Sequence, residues 1–259
     1  MRTPANRDSG DILAVGPGAR HYAPMTIPAC CTAPRPHWPF PVALPGVALF
    51  SARFDPAQLD PDDFHSCAIA APASIQRSVA KRQTEYLAGR LCARSALAHI
   101  EAPAIAPGLG EDRAPLWPAA VTGSITHTDG WAAAVVAPGS QWRGLGLDAE
   151  PLLQPARAER LASGVLTAAE LLRLQSVAPA QRALLITLTF SIKESLFKAL
   201  YPLVLKRFYF EHAEVIDWQD AGQVRLRLLT DLSQEFGVGA EFVGQYCVER
   251  DRLLSLVHL

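Results

Sequence analysis

The prediction of the fold depends most on one stretch just past the middle of the 259-residue chain, Gly144-Leu145-Gly146-Leu147-Asp148-Ala149-Glu150-Pro151. In an extended strand, residues two apart point to the same face with their Cα atoms about 6.6 Å apart. Asp148 and Glu150 would then project side by side. Pro151 favours extended backbone at Glu150. The stretch is therefore predicted to be a strand that presents two carboxylates on one face.

Helical and strand-like patterns recur in a similar order on either side of this stretch. Up to and including it, the patterns predict one strand, one long helix and three further strands over Val47–Phe54, Ala73–Ile100, Val121–Thr128, Trp131–Ala137 and Gly144–Glu150. After it, they predict helices over Pro155–Leu161, Thr167–Ser176 and Ala180–Leu203, then strands over Lys206–Trp218, Gln223–Leu229, Glu241–Glu249 and Leu253–His258. Helices beside antiparallel strands indicate the α+β class, with two halves over residues 46–144 and 145–259.

The first 45 residues differ in composition from the rest of the chain. They hold nine of the 21 prolines, which leaves little regular backbone hydrogen bonding. Residues 1–45 are therefore predicted to be a proline-rich, poorly ordered tail. The sequence leaves open whether Met1 or Met25 is the start of the protein.

Charge and hydropathy exclude several classes of protein. Lys and Arg number 24 against 25 Asp and Glu, so no global positive field is available to attract nucleic acid. The apolar runs are far shorter than the roughly 20 residues that span a bilayer, and no apolar leader is evident. The five cysteines form no C-x-x-C pair, so we expect reduced, packed thiols in a cytoplasmic protein.

The carboxylate pair could bind a metal ion. Mg²⁺ takes one or two protein carboxylates and completes its shell with water and phosphate oxygens, which suits Asp148 and Glu150. The alternative is a solvated rim at the end of a strand.

The run Phe190–Leu200 holds a further carboxylate and two lysines on a predicted helix. Glu194 and Lys198 lie four apart and share one helical face. One interpretation makes Glu194 a third carboxylate near the metal, with Lys193 and Lys198 countering phosphate charge. The alternative is a capping box of Ser191 and Glu194 beside an ordinary surface ion pair.

Two other segments could contact phosphate groups. In Gly123–Trp131, hydroxyl residues beside His127 could form a phosphate or nucleotide wall, or His127 could be a residue at the edge of the core. The helix over Arg77–Arg94 carries five cations and one acid, which indicates a solvated face, a phosphate site or a surface for an acidic partner. The sequence contains neither a G-x-S-x-G elbow nor a Walker A loop.

Taken together and in order, these segments resemble the 4′-phosphopantetheinyl transferases, in the subgroup of enterobactin synthetase component D and the Pseudomonas enzymes. The matching pieces are Lys81-Arg82-x3-Tyr86-Leu87-Ala88-Gly89-Arg90, Arg113-Ala114-Pro115-Leu116-Trp117-Pro118, Gly123-Ser124-Ile125-Thr126-His127, Gly146-Leu147-Asp148-Ala149-Glu150 and Phe190-Ser191-Ile192-Lys193-Glu194-Ser195-x2-Lys198. The resemblance implies a pseudo-dimeric α+β fold with coenzyme A in the cleft between the halves.

The resemblance also implies a reaction and its catalytic residues. The phosphopantetheinyl arm of coenzyme A would pass to a serine of an apo acyl carrier protein or a peptidyl or aryl carrier domain, leaving 3′,5′-adenosine bisphosphate. Asp148, Glu150 and Glu194 match the acidic triad that binds Mg²⁺. Glu194, or a water that it orients, would deprotonate the serine, and Lys198 would stabilise charge on the transferring phosphate.

Coenzyme A would be held by basic and hydroxyl residues, whereas Arg94 could face the carrier protein. The candidates for coenzyme A are Lys81, Arg82, Arg90, Arg113, Ser124, Thr126, His127, Lys193 and Lys198. Related surfactin-type enzymes carry Gly-Lys-Pro where this chain has Arg113-Ala114-Pro115, so the role of Arg113 stays open. We expect a monomer that binds no nucleic acid. Two other hypotheses are a noncatalytic carrier-binding module and a different Mg²⁺-dependent nucleotide enzyme.

Overall fold

The computed structural model describes residues 26–259 and confirms the predicted α+β class. The strands are β1 Arg35–Pro36, β2 Ala48–Arg53, β3 Gly108–Leu109, β4 Pro115–Leu116, β5 Val121–Thr128, β6 Trp131–Pro138, β7 Leu145–Pro151, β8 Ala213–Trp218, β9 Gln223–Leu228, β10 Glu241–Glu249 and β11 Arg252–His258. The helices are α1 Asp63–Ser66, α2 Ala73–Gln76, α3 Ala80–His99, α4 Pro155–Val165, α5 Ala168–Gln175 and α6 Pro179–Val204. Single 3₁₀ turns occupy Pro56–Gln58 and Phe210–His212.

The first unit is an antiparallel sheet of order β1-β2-β6-β5 with helix α3 packed on one face. Helix α3 buries Leu87, Leu91 and Leu97, which recur at helical spacing, against this sheet and the α1 segment. The predicted helix over Ala73–Ile100 is interrupted, because Val79 is extended at φ −65° and ψ 155°. The Ser78 hydroxyl donates to the Ser74 carbonyl there, which offers the backbone an alternative to a continuous helix.

The second unit is an antiparallel sheet of order β7-β11-β10-β9-β8 with the 26-residue helix α6 packed on one face. Strand β7 lies so close to α6 that a Cβ atom at Gly146 would collide with the carbonyl oxygen of Ser195. Only glycine allows this approach. The close contact brings the polar residues of β7 beside those in the middle of α6.

The two units share one order of elements. In each, one strand leads to a long helix and then to antiparallel strands, the last of which pairs with that strand, β6 with β2 and β11 with β7. The sheets meet through a common apolar layer that includes Trp131 and Val135 from β6 and Leu147 and Leu254 from the second sheet. The Ser124 hydroxyl on β5 also accepts a hydrogen bond from the Leu147 amide at 3.0 Å. The cleft between α3 and α6 is thereby fixed by packing.

Two local features of the second unit differ from the sequence analysis. The strand predicted from Lys206 begins only at Ala213, because the 3₁₀ turn Phe210–His212 precedes it. A capping box does occur, but it is formed by Thr167 and Glu170 at the start of α5. Ser191 lies in the middle of α6, so the capping box of Ser191 and Glu194 is wrong.

The predicted tail is ordered from residue 26 onwards. Strand β1 pairs with β2, and Cys30, Phe40 and Leu44 are buried in the core. Pro36 is tolerated in β1 because this is an edge strand, where a missing amide donor costs no ladder hydrogen bond. The prediction of poor order is therefore wrong for residues 26–45, while residues 1–25, with the choice between Met1 and Met25, lie outside the described part of the chain.

Other predictions from composition can be compared with the structure. All five cysteines are free thiols and four are buried, as predicted. Burial raises the pKa of the Cys92 thiol, in agreement with an inert packed residue. None of the helices between residues 26 and 259 is both long and apolar enough to cross a membrane.

The packing of residues 26–45 predicts a difference between two neighbouring apolar positions. Leu44 is 9% exposed, whereas Val42 is 43% exposed. Leu44→Ala is expected to lower the free energy of unfolding by about 2 kcal/mol, because it removes buried methyl groups and leaves a cavity. Val42→Ala, the control, should cost less than about 0.5 kcal/mol. Urea unfolding measures both, and equal small effects would show that the segment contributes nothing to the core.

Candidate active site

A cleft of about 460 Å³ lies between the first unit and helix α6. Strand β5, helix α3 and the β3–β4 hairpin form one wall, and α6 with the segment that follows it forms the other. Its basic lining residues are Arg82, Arg90, Arg113, Lys198 and Arg207, and its large apolar ones include Leu109, Leu116, Trp117, Phe197 and Leu205. Such a lining suits a ligand that carries both phosphate groups and an apolar part.

Asp148 is buried at the edge of this cleft. One carboxylate oxygen accepts from the Ser191 hydroxyl at 2.8 Å and the other from the Lys198 ammonium at 2.7 Å. Ser255 faces Asp148 across the β7–β11 pair, and its hydroxyl contacts the hydroxyls of Ser191 and Ser195. The serines therefore support a carboxylate whose position is set by both β7 and α6.

Glu150 and Glu194 lie close enough to Asp148 to influence each other electrostatically. Burial raises the pKa of Glu150 to about 7, and the charges of Asp148 and Glu194 add to this effect. Burial likewise raises the pKa of Glu194, while Lys198 opposes the increase. Without a bound metal ion, the cluster of Asp148, Glu150 and Glu194 therefore tends to take up a proton near neutral pH.

The donor set of this cluster fits Mg²⁺ in its chemistry. Its three carboxylates are hard oxygen ligands, and burial raises the pKa values of two of them, Glu150 and Glu194, so that a bound cation would stabilise their charged forms. Between residues 26 and 259, no group of three His, Cys, Asp or Glu side chains is already arranged to hold a metal ion. Both oxygens of Asp148 are engaged, by Ser191 and by Lys198.

Lys198 does not form the predicted surface ion pair with Glu194. Its ammonium instead bonds to Asp148 and to the Leu147 carbonyl at 3.0 Å, so it reaches from α6 across to β7. Its side chain remains 27% exposed and lines the cleft. The surface-pair interpretation is therefore wrong, and Lys198 presents a fixed positive charge beside the carboxylates.

A second polar group lies on the opposite wall. Arg82 on α3 contacts the Nε2 atom of His127 on β5 at 2.7 Å, and the Glu85 carboxylate lies 3.3 Å from Arg82 and 3.6 Å from the Nδ1 atom of His127. Burial lowers the pKa of His127, and Glu85 opposes this shift. Glu85 was not singled out in the sequence, although its position three residues after Arg82 on a helix indicated the contact.

Three further candidates, Lys81, Ser124 and Thr126, are either paired with another group or buried. Lys81 is exposed and forms an ion pair with Asp129 at 2.6 Å. Ser124 lines the cleft but is buried, with its hydroxyl bonded to the backbone of Leu147. Thr126 is buried on β5, two residues further along. Ser124 and Thr126 are therefore less accessible to a ligand than Arg82 and His127, and Lys81 is not among the described residues that line the cleft.

Two arginines of the predicted basic helix point into the protein. Arg90 is buried, donates to the Pro107 carbonyl at 3.1 Å and lies 4.0 Å over the Tyr86 ring. Arg94 donates to the Cys67 carbonyl, so the expectation that it faces a carrier protein is not supported. Arg113 differs, because it is exposed at the rim of the cleft in the turn between β3 and β4.

Lys193 lies in a different environment from Lys198. Its ammonium is buried and donates to Glu170 at 2.7 Å, to the Val165 carbonyl at 2.9 Å and to the Phe210 carbonyl at 3.0 Å. These three acceptors fill its donor capacity. The geometry therefore assigns Lys193 a structural role and argues against the predicted phosphate contact.

Aromatic residues of the cleft were also missed from the sequence. Phe197 and Tyr201, one turn apart on α6, stack with their ring centroids 5.2 Å apart. Trp117 packs against Gly123, where a Cβ atom would collide with its ring. The spacing of Phe197 and Tyr201 is a detectable signal, but apolar spacing on a helix usually indicates core packing.

Comparison with known proteins gives consistent matches over both units. Residues 70–137 match the family model of the 4′-phosphopantetheinyl transferase N-terminal domain, and residues 144–249 match that of the 4′-phosphopantetheinyl transferase superfamily. The chain is 36% identical over 202 residues to the 4′-phosphopantetheinyl transferase Svp of Streptomyces mobaraensis. These residues cover 72% of this chain and 74% of that protein.

Two further relatives extend this comparison. Enterobactin synthase component D of Escherichia coli strain K12 is 38% identical over 154 residues, which covers 60% of this chain and 71% of that protein. The 4′-phosphopantetheinyl transferase Npt of Nocardia iowensis is 39% identical over 150 residues, which covers 54% of this chain. The match spans 62% of the length of the Nocardia protein.

Proposed function

Since the chain belongs to the 4′-phosphopantetheinyl transferase superfamily, we propose that it transfers the 4′-phosphopantetheine arm of coenzyme A to a serine of an apo carrier protein. The observation that carries the proposal is the Asp148–Lys198 pair at the edge of a basic cleft, with Glu150 and Glu194 close by. This arrangement provides what phosphoryl transfer requires, namely a charge-neutralising site beside a pocket for a phosphate-bearing substrate.

The proposed reaction exchanges one phosphorus–oxygen bond for another. The serine oxygen of the carrier protein attacks the phosphorus that bears the pantetheine arm, and the pyrophosphate bond of coenzyme A breaks. The electron pair of that bond leaves with 3′,5′-adenosine bisphosphate. The serine proton passes to Glu194 or to a water that it orients, and burial raises the pKa of Glu194 towards the range that suits a base near neutral pH.

Residues on both walls position the substrate. Lys198 is held by Asp148 and the Leu147 carbonyl, so its charge lies where the transferring phosphate would be stabilised. On the opposite wall, Arg82, His127 and Arg113 are suited to the phosphate groups of coenzyme A. Mg²⁺, when bound by Asp148, Glu150 and Glu194, would neutralise charge on the pyrophosphate.

The partners proposed for this enzyme are carrier proteins and domains. Relatives include proteins named for enterobactin synthase, so peptidyl or aryl carrier domains of siderophore synthesis are candidates beside fatty acid carriers. Both walls of the cleft come from one chain, which supports a monomeric enzyme. The free thiols are compatible with the reducing cytoplasm, where we place its activity.

A carrier-modification assay tests the function. Purified protein, Mg²⁺, coenzyme A and an apo carrier protein should yield a carrier that gains one phosphopantetheine group on its serine, as measured by mass spectrometry. A noncatalytic binding module would give a complex without the mass gain. A different nucleotide enzyme would turn over without coenzyme A. Either result would overturn the proposal.

Lys198 separates a catalytic role from a purely structural one. Lys198→Met is expected to lower kcat by roughly a hundredfold, because the charge that faces the transferring phosphate is lost. Its effect on unfolding should be smaller than that of breaking a fully buried ion pair, since the ammonium is partly exposed and Asp148 keeps its bond from Ser191. Steady-state kinetics with the carrier measure the loss. Lys206→Met is the matched control at an exposed lysine, and wild-type kinetics in Lys198→Met would contradict the assignment.

The raised pKa of Glu150 predicts how the stability of the metal-free protein depends on pH. Its pKa of about 7 in the folded chain exceeds the ordinary value of 4.5, so the folded protein binds more protons than the unfolded chain between these pH values. Stability should therefore fall as pH rises from about 4.5 to 7, because ionisation costs more in the buried site. Relative to wild type, Glu150→Gln should raise the melting temperature by about 2 to 4 °C at pH 7.5 and by less at pH 5.

This measurement is made by thermal unfolding in EDTA. Glu159→Gln, at an exposed position on α4, is the matched control and should show the wild-type pH dependence. Parallel pH profiles of wild type and Glu150→Gln would contradict the raised pKa.

A further inference from the structure

A second cavity, of about 720 Å³, lies between the edge of the first sheet and the β10–β11 hairpin. It shares no lining residue with the catalytic cleft. Arg35 and Arg53 reach it from β1 and β2, and Arg250 and Arg252 reach it from the hairpin. Each unit of the chain therefore contributes two arginines to one cavity.

The positive charge of this cavity is poorly balanced. Within the described chain, Glu249 is the single carboxylate among the lining residues. It already contacts the Nε2 atom of His37 at 3.0 Å, while the Nδ1 atom of His37 contacts the Ser51 hydroxyl at 3.2 Å. Neither Arg53 nor Arg250 forms an ion pair with any residue between 26 and 259. The cavity therefore has a surplus of cationic hydrogen-bond donors.

Arg252 lies at the inner side of this cavity and lacks a carboxylate of the described residues within hydrogen-bond distance. Its guanidinium lies 4.9 Å over the Trp131 ring, and its Nη1 atom is buried without an acceptor in residues 26–259. The Asp251 carboxylate is 3.9 Å from the Nε atom, too far for a hydrogen bond. Buried donors in proteins almost always have a partner. Burial lowers the pKa of Arg252; the charges of Asp251 and Glu249 oppose this shift, while those of Arg53 and Arg250 add to it.

We propose that this cavity binds a small phosphate-bearing anion. Guanidinium groups donate in a planar fork that matches the oxygens of a phosphate group, and several of them together suit a multiply charged anion. His37, Ser51 and Thr32 add polar groups to the same lining. Bound phosphate would accept from the exposed guanidinium groups of Arg53 and Arg250 and would reduce the repulsion among the arginines. The site is separate from the proposed transfer and does not depend on it.

Calorimetric titration of the full-length protein with inorganic pyrophosphate in EDTA tests the site. The double substitution Arg53→Gln with Arg250→Gln should weaken pyrophosphate binding roughly tenfold or more, because two charge-assisted contacts are lost. Arg160→Gln, at an exposed arginine of α4 outside the cavity, is the matched control and should bind as wild type does. If the double variant unfolds, Arg250→Gln alone provides the same test and should show a smaller loss of pyrophosphate affinity.

A local signal distinguishes this cavity from the catalytic cleft. In protein labelled with ¹⁵N-tryptophan, the indole resonance of Trp131, assigned with Trp131→Phe, should shift during the titration. Binding that survives in the double variant but is lost in Arg82→Gln would belong to the catalytic cleft and would overturn the proposal. Absence of both heat and resonance shift at millimolar pyrophosphate would overturn it as well.

Discussion

Asp148→Asn is expected to lower the rate of phosphopantetheine transfer roughly a thousandfold while the protein stays folded. Asp148 connects strand β7 to helix α6, since it accepts from Ser191 and from Lys198, which both lie on α6. Asparagine keeps the shape of the side chain but removes its negative charge. The substitution therefore removes a metal-ligating oxygen of the proposed Mg²⁺ site and releases Lys198 from its fixed position.

Two measurements separate this loss from unfolding. Carrier modification followed by mass spectrometry gives the rate, and thermal unfolding gives the stability, which should fall by only about 1 kcal/mol because Lys198 is partly exposed. Asp220→Asn, at an exposed aspartate, is the matched control. Transfer within a few fold of wild type in Asp148→Asn would remove Asp148 from the catalytic site.

Much of the fold could be predicted because strands and turns leave local signals. The predicted strand Val121–Thr128 coincides with β5, since Asp129-Gly130 marks the turn and alternating residues fix the flanks. The predicted strand Gly144–Glu150 differs from β7 by one residue at each end. These patterns depend on neighbours within a few residues, so sequence alone is sufficient for them.

Errors in the fold arose where distant residues decide the outcome. The order of residues 26–45 depends on apolar pockets for Phe40 and Leu44 that the first sheet and the second unit provide together. A count of prolines reports only on local hydrogen bonding and carries no information about such pockets. The break at Val79 is likewise invisible in a helical pattern that continues on both sides of it.

The same distinction separates the basic residues. Lys193 and Lys198 are close in sequence. Five residues along a helix rotate the side-chain direction by about 140°, so the two lysines point in different directions from α6. Arg90 and Arg94 lie four apart on α3, but Arg90 lines the cleft while it donates to the Pro107 carbonyl, whereas Arg94 donates to the Cys67 carbonyl outside the cleft. The sequence thus indicates which residue types reach a phosphate site, whereas tertiary packing decides which of them do so.

Lys193→Met provides a direct test of that conclusion, with an expected loss of about 3 to 5 kcal/mol in the free energy of unfolding. The substitution leaves Glu170 as a buried carboxylate without its cation and leaves the carbonyls of Val165 and Phe210 without a donor. Glu170 keeps its bonds to the amides of Thr167 and Val215, but these do not neutralise its charge. Urea unfolding at low temperature, where the variant still folds, measures the loss.

A double-mutant cycle identifies the source of this loss. Glu170→Gln alone should be destabilising. The double variant with Lys193→Met should lose less stability than the sum of the losses of the two single variants, because neither charge is then left buried and unpaired. Transfer by the folded fraction should remain within a few fold of wild type, since the ammonium of Lys193 bonds to Glu170 and two backbone carbonyls and is absent from the lining of the catalytic cleft. A variant with unchanged stability and a hundredfold slower transfer would instead restore the phosphate contact predicted from the sequence. A structural role of Lys193 therefore predicts a loss of stability with a nearly unchanged transfer rate, whereas a phosphate contact predicts a slower transfer with unchanged stability.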